Sequence, residues 1–340
     1  MVANDIDKSA HSPVLLDTFI KHVSPVAGTW IDCTFGSGGY TEALINSGAQ
    51  RVIAMDRDPD IMPNARIMEV KLKPKLKFYK GNFSRLDRII AKHPNDTISG
   101  IVLDIGVSSM QLDRSERGFS FQADGPLDMR MSREGFSAAD ILNRVDEAKL
   151  ADIIFYYGQE RAARSIAKEI INRRKIQPIT TTKELSNIIS NVVAKRRNLK
   201  RKKINPATLT FQALRIAVNN ELNELNSVLH SAERLMPEGA ILAVVTFHSL
   251  EDRLVKHFIN DRTNSASGVN RYLPKSNHSA PTFEKIMNKV IKVDTDERDR
   301  NPRARSAKLR IAKRGPGVVL SEMDTSNYFP DINFTMRDLE

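Results

Sequence analysis

One cysteine, Cys33, occurs in 340 residues. That excludes an internal disulfide framework and a cysteine-built zinc cluster, and a reducing cytoplasm is the natural setting. Long apolar runs are missing too. The most apolar stretch, AILAVVTF at 240–247, is far shorter than the ~20 residues needed to span a bilayer, so no membrane partner is expected. The opening residues, MVANDIDKSA, are too polar for a secretory leader. No internal repeat is visible. Positive charge, by contrast, is in excess: 52 Lys and Arg face 41 Asp and Glu, for a net charge of +11. A balance this basic suits a polyanionic partner. The length leaves room for two domains.

The apolar pattern alternates between strands and helices. GTWIDC (28–33) reads as a short buried strand, followed by a glycine loop and a helix near 40–47. RVIAMD (51–56), LKFYKGNF (76–83) and GIVLDIG (100–106) read as three further strands. Strands alternating with helical segments predict an α/β fold with a mostly parallel sheet. The rhythm breaks over 113–208, where the pattern is helical at 138–158, 160–174 and 181–197. A long helix is expected from about 208 to 236, since Leu214, Val218, Leu222, Leu225, Leu229 and Ala232 recur at three- and four-residue steps. AILAVVTF then supplies a fifth strand and SAKLRIAKR (306–314) a late one. Residues 261–300 read as a long polar loop. The expected domains are a discontinuous sheet domain (1–112 and 209–314), an inserted helical domain (113–208) and a C-terminal tail (315–340).

The loop after the first strand runs Asp32-Cys33-Thr34-Phe35-Gly36-Ser37-Gly38-Gly39-Tyr40. Glycines there let a backbone approach a ligand closely. A dinucleotide fingerprint would need a third glycine at position 41, which is Thr41, so a nicotinamide cofactor is disfavoured. Asp56 ends the second strand, where an acid can accept both hydroxyls of a ribose, or else cap the next helix. Asn82-Phe83 ends the third strand, where Phe83 can grip an adenine ring or serve as core.

Asp104-Ile-Gly-Val-Ser-Ser-Met-Gln111 follows the fourth strand, where open α/β sheets place their chemistry. Asp104 and Ser108 are catalytic candidates there, although a serine at this point also caps turns. His248, after the fifth strand, is a third. Ser249 and Asp252 beside it resemble a capping box. His248 has no His or Cys at metal-ligand spacing, so no metal site is expected. Methylation of a pyrimidine ring carbon uses a cysteine nucleophile near the later strands, and Cys33 lies in the first. Nitrogen or oxygen methylation is the chemistry left open.

These residues resemble the RsmH/MraW family, the bacterial 16S ribosomal RNA cytosine N4-methyltransferases. The resemblance rests on His11-Ser-Pro-Val-Leu-Leu, Thr34–Gly39, Asp56-Arg-Asp-Pro, Asp104–Gln111, Arg117-Gly-Phe-Ser-Phe, Gly125–Met131, Phe211–Asn219, Phe247–Arg253 and Asn301–Leu309. It implies a class I, Rossmann-like methyltransferase domain with a helical insertion, and N4 methylation of a cytosine in the ribosomal P-site region. It implies S-adenosyl-L-methionine as cofactor, contacted by Gly38, Gly39, Tyr40, Asp56, Phe83, Asp104 and Gln111. Tyr40 stands where many members carry histidine. The Pro-Pro-aromatic signature of other base-amine methyltransferases is absent after the fourth strand, so the resemblance supplies no catalytic residue. Two rivals stay open, a non-catalytic RNA-binding assembly factor and a nicotinamide oxidoreductase on the same fold. The expected partner is 16S RNA or the assembled small subunit. Its expected grip is the run 195–203, with seven cations in nine residues, and a second cluster at Arg303, Arg305, Lys308 and Arg310.

Overall fold

The computed structural model describes residues 13–196, 205–263, 280–323, 325 and 330. The chain divides into two compact units, Met1–Gly106 with Glu224–Met323, and Val107–Asn223 with Asp324–Glu340.

In the first unit, α1 (Leu16–Val23), β1 (Thr29–Asp32), α2 (Gly39–Asn46), β2 (Arg51–Asp56), α3 (Met62–Lys71), β3 (Leu76–Lys80), α4 (Leu86–Ile90) and β4 (Ile98–Asp104) follow in order. All four residues of β1, Val52–Met55 of β2 and Gly100–Leu103 of β4 are buried. Such unbroken buried runs belong to parallel strands covered on both faces, because alternation is needed only where one face meets water. The lone tryptophan, Trp30, lies over Gly100, where any Cβ would collide with its ring. It donates to Ala27 O at 3.1 Å.

The second unit is helical: α5 (Ser109–Asp113), α6 (Ala138–Arg144), α7 (Glu147–Tyr156), α8 (Ala163–Arg174), α9 (Thr182–Arg196) and α10 (Thr208–Asn219). The segment expected as one helix over 138–158 is two, because Asp146 caps a new start by accepting from Lys149 N. α7 packs on α8, α8 on α9, and α10 on α6 and α7. Asn219, buried at the end of α10, donates to Met129 O at 2.7 Å and accepts from Met131 N at 2.8 Å. Arg117 donates to the carbonyls of Arg130 and Met131. The Gly125–Met131 loop is thereby pinned from two sides.

The long helix expected over 208–236 is broken. α10 ends at Asn219, Asn220 takes a left-handed conformation (φ 50°, ψ 38°), and α11 (Glu221–Leu235) begins anew. The apolar spacing runs straight through the break, so periodicity could not reveal it. Asparagine is one of the few residues that tolerate this backbone region.

The chain completes the first unit with β5 (Ile241–Thr246), α12 (Ser249–Thr263), β6 (Phe283–Lys285), β7 (Ile291–Lys292), α13 (Thr295–Arg300) and β8 (Lys308–Arg314). The short elements after 280 replace part of the loop expected over 261–300. The sheet order is β3-β2-β1-β4-β5-β8-β6, with β7 also on β8. β1 to β5 are mutually parallel, and β8 is antiparallel to β5, β6 and β7. This is the mostly parallel α/β sheet the pattern predicts. The chain moves outward from β1 to β2 and β3, then returns to lay β4 on the other side of β1. That reversal is a topological switch point, and ligands of open α/β sheets bind outside the strand ends there. Among the described residues, no helix is long and apolar enough to cross a membrane.

Candidate functional site

The switch point is flanked by the ends of β1 and β4, and acids gather there. Asp32 closes β1 and is almost fully buried. Its Oδ1 accepts from Thr34 N at 3.0 Å and its Oδ2 from Thr41 Oγ1 at 2.7 Å. Burial pushes its carboxyl up to about 6, against the pull of those hydrogen bonds. Thr34 in turn accepts from Asp104 N at 2.6 Å, so the hydroxyl that replaces a loop glycine ties β1 to β4. Thr41, the residue that breaks the dinucleotide pattern, is the second support of Asp32. Local spacing carried no signal for either tie, since both are contacts between segments.

Asp56 lies at the end of β2. Its Oδ2 accepts from Gly36 N at 2.8 Å and its Oδ1 from Asp58 N at 2.9 Å. Burial raises its pKa, and these two N–H groups restrain the rise. Each oxygen keeps acceptor capacity for a further hydroxyl. Gly36 takes φ 52°, and an added Cβ there would meet only Thr34 O, at 3.8 Å. At Gly38 (φ 88°) an added Cβ would come within 2.5 Å of Met68 Sδ, and at Gly39 it would strike Pro13. The protein's own packing therefore already demands glycine at 38 and 39. Tyr40 is buried, with its hydroxyl donating to Val14 O and its ring edge-on to Phe19 at 5.3 Å. Its side chain is committed to the core. Phe83 is half-buried at the end of the loop after β3, where Asn82 caps the next turn.

Asp104 ends β4. Its Oδ1 is buried and, among the described residues, has no hydrogen-bond partner. Burial, then the charges of Asp32 and Glu251, push its carboxyl up to about 8. Glu251, buried on α12, accepts at Oε2 from the N–H groups of Phe247 and His248. It thus caps the start of α12. His248 Nε2 lies 2.8 Å from Glu251 Oε1, off the line of a straight hydrogen bond. Asp252 instead binds Lys308 Nζ at 2.7 Å and Arg310 Nε at 2.8 Å, which hold its pKa down against the effect of burial. Two of the four cations in the second basic cluster are therefore already paired.

Ser108 and Gln111 belong to the second unit. Ser108 Oγ accepts from Gln111 N at 3.2 Å, and Gln111 Oε1 accepts from Ser108 N at 3.0 Å. This reciprocal box starts α5. The run 195–203 has its side chains outside the described residues, as do His11 and Ser12 of the first motif.

The model of the MraW methylase family matches residues 8–315. The chain belongs to that family. Ribosomal RNA small subunit methyltransferase H of Roseobacter denitrificans is 50% identical over 306 residues, covering 90% of each chain. The protein of that name from Cereibacter sphaeroides is 48% identical over 314 residues, covering 92% of this chain and 93% of its own. That of Parvibaculum lavamentivorans is 47% identical over 313 residues, covering 92% and 91%. A methylase of this family has to receive S-adenosylmethionine, which carries a sulfonium and an ammonium cation on a ribose. The first unit offers matching groups. Asp104 is a buried acceptor without a partner among the described residues, set beside two further acids. Asp56 is a carboxylate with spare lone pairs at a strand end. A cation would discharge the first, and ribose hydroxyls would use the second.

Proposed function

We propose that this chain transfers a methyl group from S-adenosyl-L-methionine to N4 of a cytosine in the P-site region of 16S ribosomal RNA, in the cytoplasm, on the RNA or the assembled small subunit. Membership of the MraW methylase family and the names of its relatives support the reaction class and the RNA. One observation carries the choice of a nitrogen or oxygen over a ring carbon. Cys33 is 1% exposed, and burial, then the charge of Asp32, push its thiol well above the usual range. A thiol so placed is no nucleophile for carbon methylation, because the thiolate is the reactive form.

We assign cofactor binding to the sheet domain (1–112 and 209–314) and RNA contact to the inserted helices (113–208). Asp56 accepts the ribose hydroxyls, Phe83 faces the adenine, and the 36–39 loop lies along the ligand. When bound, S-adenosylmethionine supplies an electrophilic methyl on a positively charged sulfur. Methylation of an exocyclic amine forms an N–C bond and releases one N–H proton. The amine is a weak nucleophile because its lone pair is delocalised into the ring. An acceptor that holds the N–H localises that pair, and Asp104 is the residue we assign to it. Alignment supplies most of the remaining acceleration. The hydroxyl of Ser108 is engaged in the start of α5, which supports Asp104 over it.

Nucleoside mass spectrometry of small subunits from a strain lacking the enzyme, incubated with protein and tritiated cofactor, tests the reading. N4-methylcytosine is expected, with Cys33→Ser still active. Finding 5-methylcytosine would overturn it.

A further inference from the structure

The helical unit carries a surface that the methyl-transfer site does not use. We propose that the outer side of α8 is a track for single-stranded RNA, with phosphates along a cationic strip and an unpaired base on the aromatic pair that ends α7. This rests on RNA being the substrate.

Arg164, Lys168 and Lys175 follow at steps of four and seven, with Arg161 three residues before. Arg164 and Lys168 lie on α8, with Arg161 and Lys175 just beyond its two ends; at helical spacing the four fall within a strip ~60° wide, about 16 Å long from Arg164 to Lys175. All four side chains are exposed. No carboxylate enters the strip. Glu169 lies on its flank and binds Arg173 at 3.0 Å. Arg174 turns inward to the carbonyls of Leu142 and Val145 at 2.8 and 2.7 Å. Other arginines of this unit have acids, as Arg130 has Asp128 at 2.7 Å and Arg215 has Glu221 at 2.8 Å. Among the described residues, the four strip cations have none. Like charges at helical spacing repel one another, so the strip weakens its own helix unless a polyanion covers it.

Phe155 and Tyr156 close α7, just before the turn that leads to Arg161. They are 49% and 41% exposed, edge to face with centroids 5.1 Å apart. Exposed rings add nothing to attraction for an acidic protein. Next to a line of free cations they are the equipment of single-strand binding, in which bases stack on rings while cations follow the backbone.

Two variants test the track. The first is Arg161→Gln/Arg164→Gln/Lys168→Gln/Lys175→Gln, and the second is Phe155→Ser/Tyr156→Ser. Each is compared with wild type for binding to protein-free single-stranded and duplex fragments of small-subunit RNA across a salt series. Methyl transfer to small subunits and cofactor affinity are followed in parallel. The charge variant should lose at least about tenfold in RNA affinity, and its slope against log salt should flatten by about 3. Its KM should rise, with kcat and cofactor affinity unchanged. The aromatic variant should lose about tenfold on single strands alone, with the slope preserved. If the quadruple variant fails to fold by circular dichroism, Arg164→Gln/Lys168→Gln is read the same way, with half the change in slope. A charge variant with wild-type slope and KM overturns the proposal. So does a loss seen only with protein-containing subunits, which would assign the strip to a protein partner. Wild type that binds RNA but methylates no subunit would instead overturn the substrate reading.

Discussion

Asp104 is held in an unfavourable state until something positive arrives. With its carboxyl lifted to about 8 by burial and by Asp32 and Glu251, it is largely protonated at neutral pH. A bound cation stabilises the ionised form, so cofactor binding should release a proton near pH 7 and strengthen as pH rises from 6 to 8. Calorimetry in two buffers of different ionisation enthalpy measures that proton. No release would place the cation elsewhere. The sign for stability is opposite. Asp104 and Asp32 have folded pKa values above 3.8, so their contribution is fully present below pH 4 and is lost as pH climbs through about 6 and about 8. Asp104→Asn should therefore be more stable than wild type above pH 8, by ~2 kcal/mol in denaturant titrations, while binding cofactor poorly. Asp56→Ala should weaken cofactor binding by roughly 1.5–3 kcal/mol per lost charge-assisted bond. It also frees Gly36 N and Asp58 N, so Asp56→Asn is the control for loop order.

At the scale of elements, the sheet was largely legible and its ties were not. β2 matches the apolar run 51–56 residue for residue, because a covered parallel strand has no reason to alternate. The break at Asn220 escaped, since both helices bury residues at compatible spacing. Replacing Asn220 by Ala should cost about 1 kcal/mol, and by Gly little, because only a Cβ objects to φ 50°. The candidate site divides the same way. Asp56 and Asp104 are visible as acids at strand ends, whereas the Asp32–Thr41 and Thr34–Asp104 ties join residues that no local pattern relates. The buried ion pair of α11 and α12 was equally hidden. Arg262 donates to Glu233 Oε2 at 2.7 Å, and Thr282 donates to Oε1 at 2.7 Å. Glu233→Ala leaves a buried guanidinium without its acid and should cost 3–5 kcal/mol, roughly. Urea unfolding with intrinsic fluorescence from Trp30 reads that loss.

For the whole molecule, a ligand that binds only the folded state raises the melting temperature by mass action, ~2.7 kcal/mol at a hundredfold excess over Kd. S-adenosylmethionine should produce that rise in wild type, and Asp56→Ala should blunt it in thermal scans. The insertion carries another consequence, for the order in which the protein is made. β4 hydrogen-bonds β1 on one edge and β5 on the other. β1 leaves the ribosome soon before β4, but β5 follows only after Val107–Asn223 has been synthesised. At 5–20 residues per second that is an interval of several seconds or more. Throughout it, the nascent sheet presents the apolar edge of β4, Gly100 to Leu103, with no strand to close it. The translating chain is then at its most aggregation-prone, and slowing elongation within the insertion should lower the soluble yield of a protein whose finished fold is unchanged.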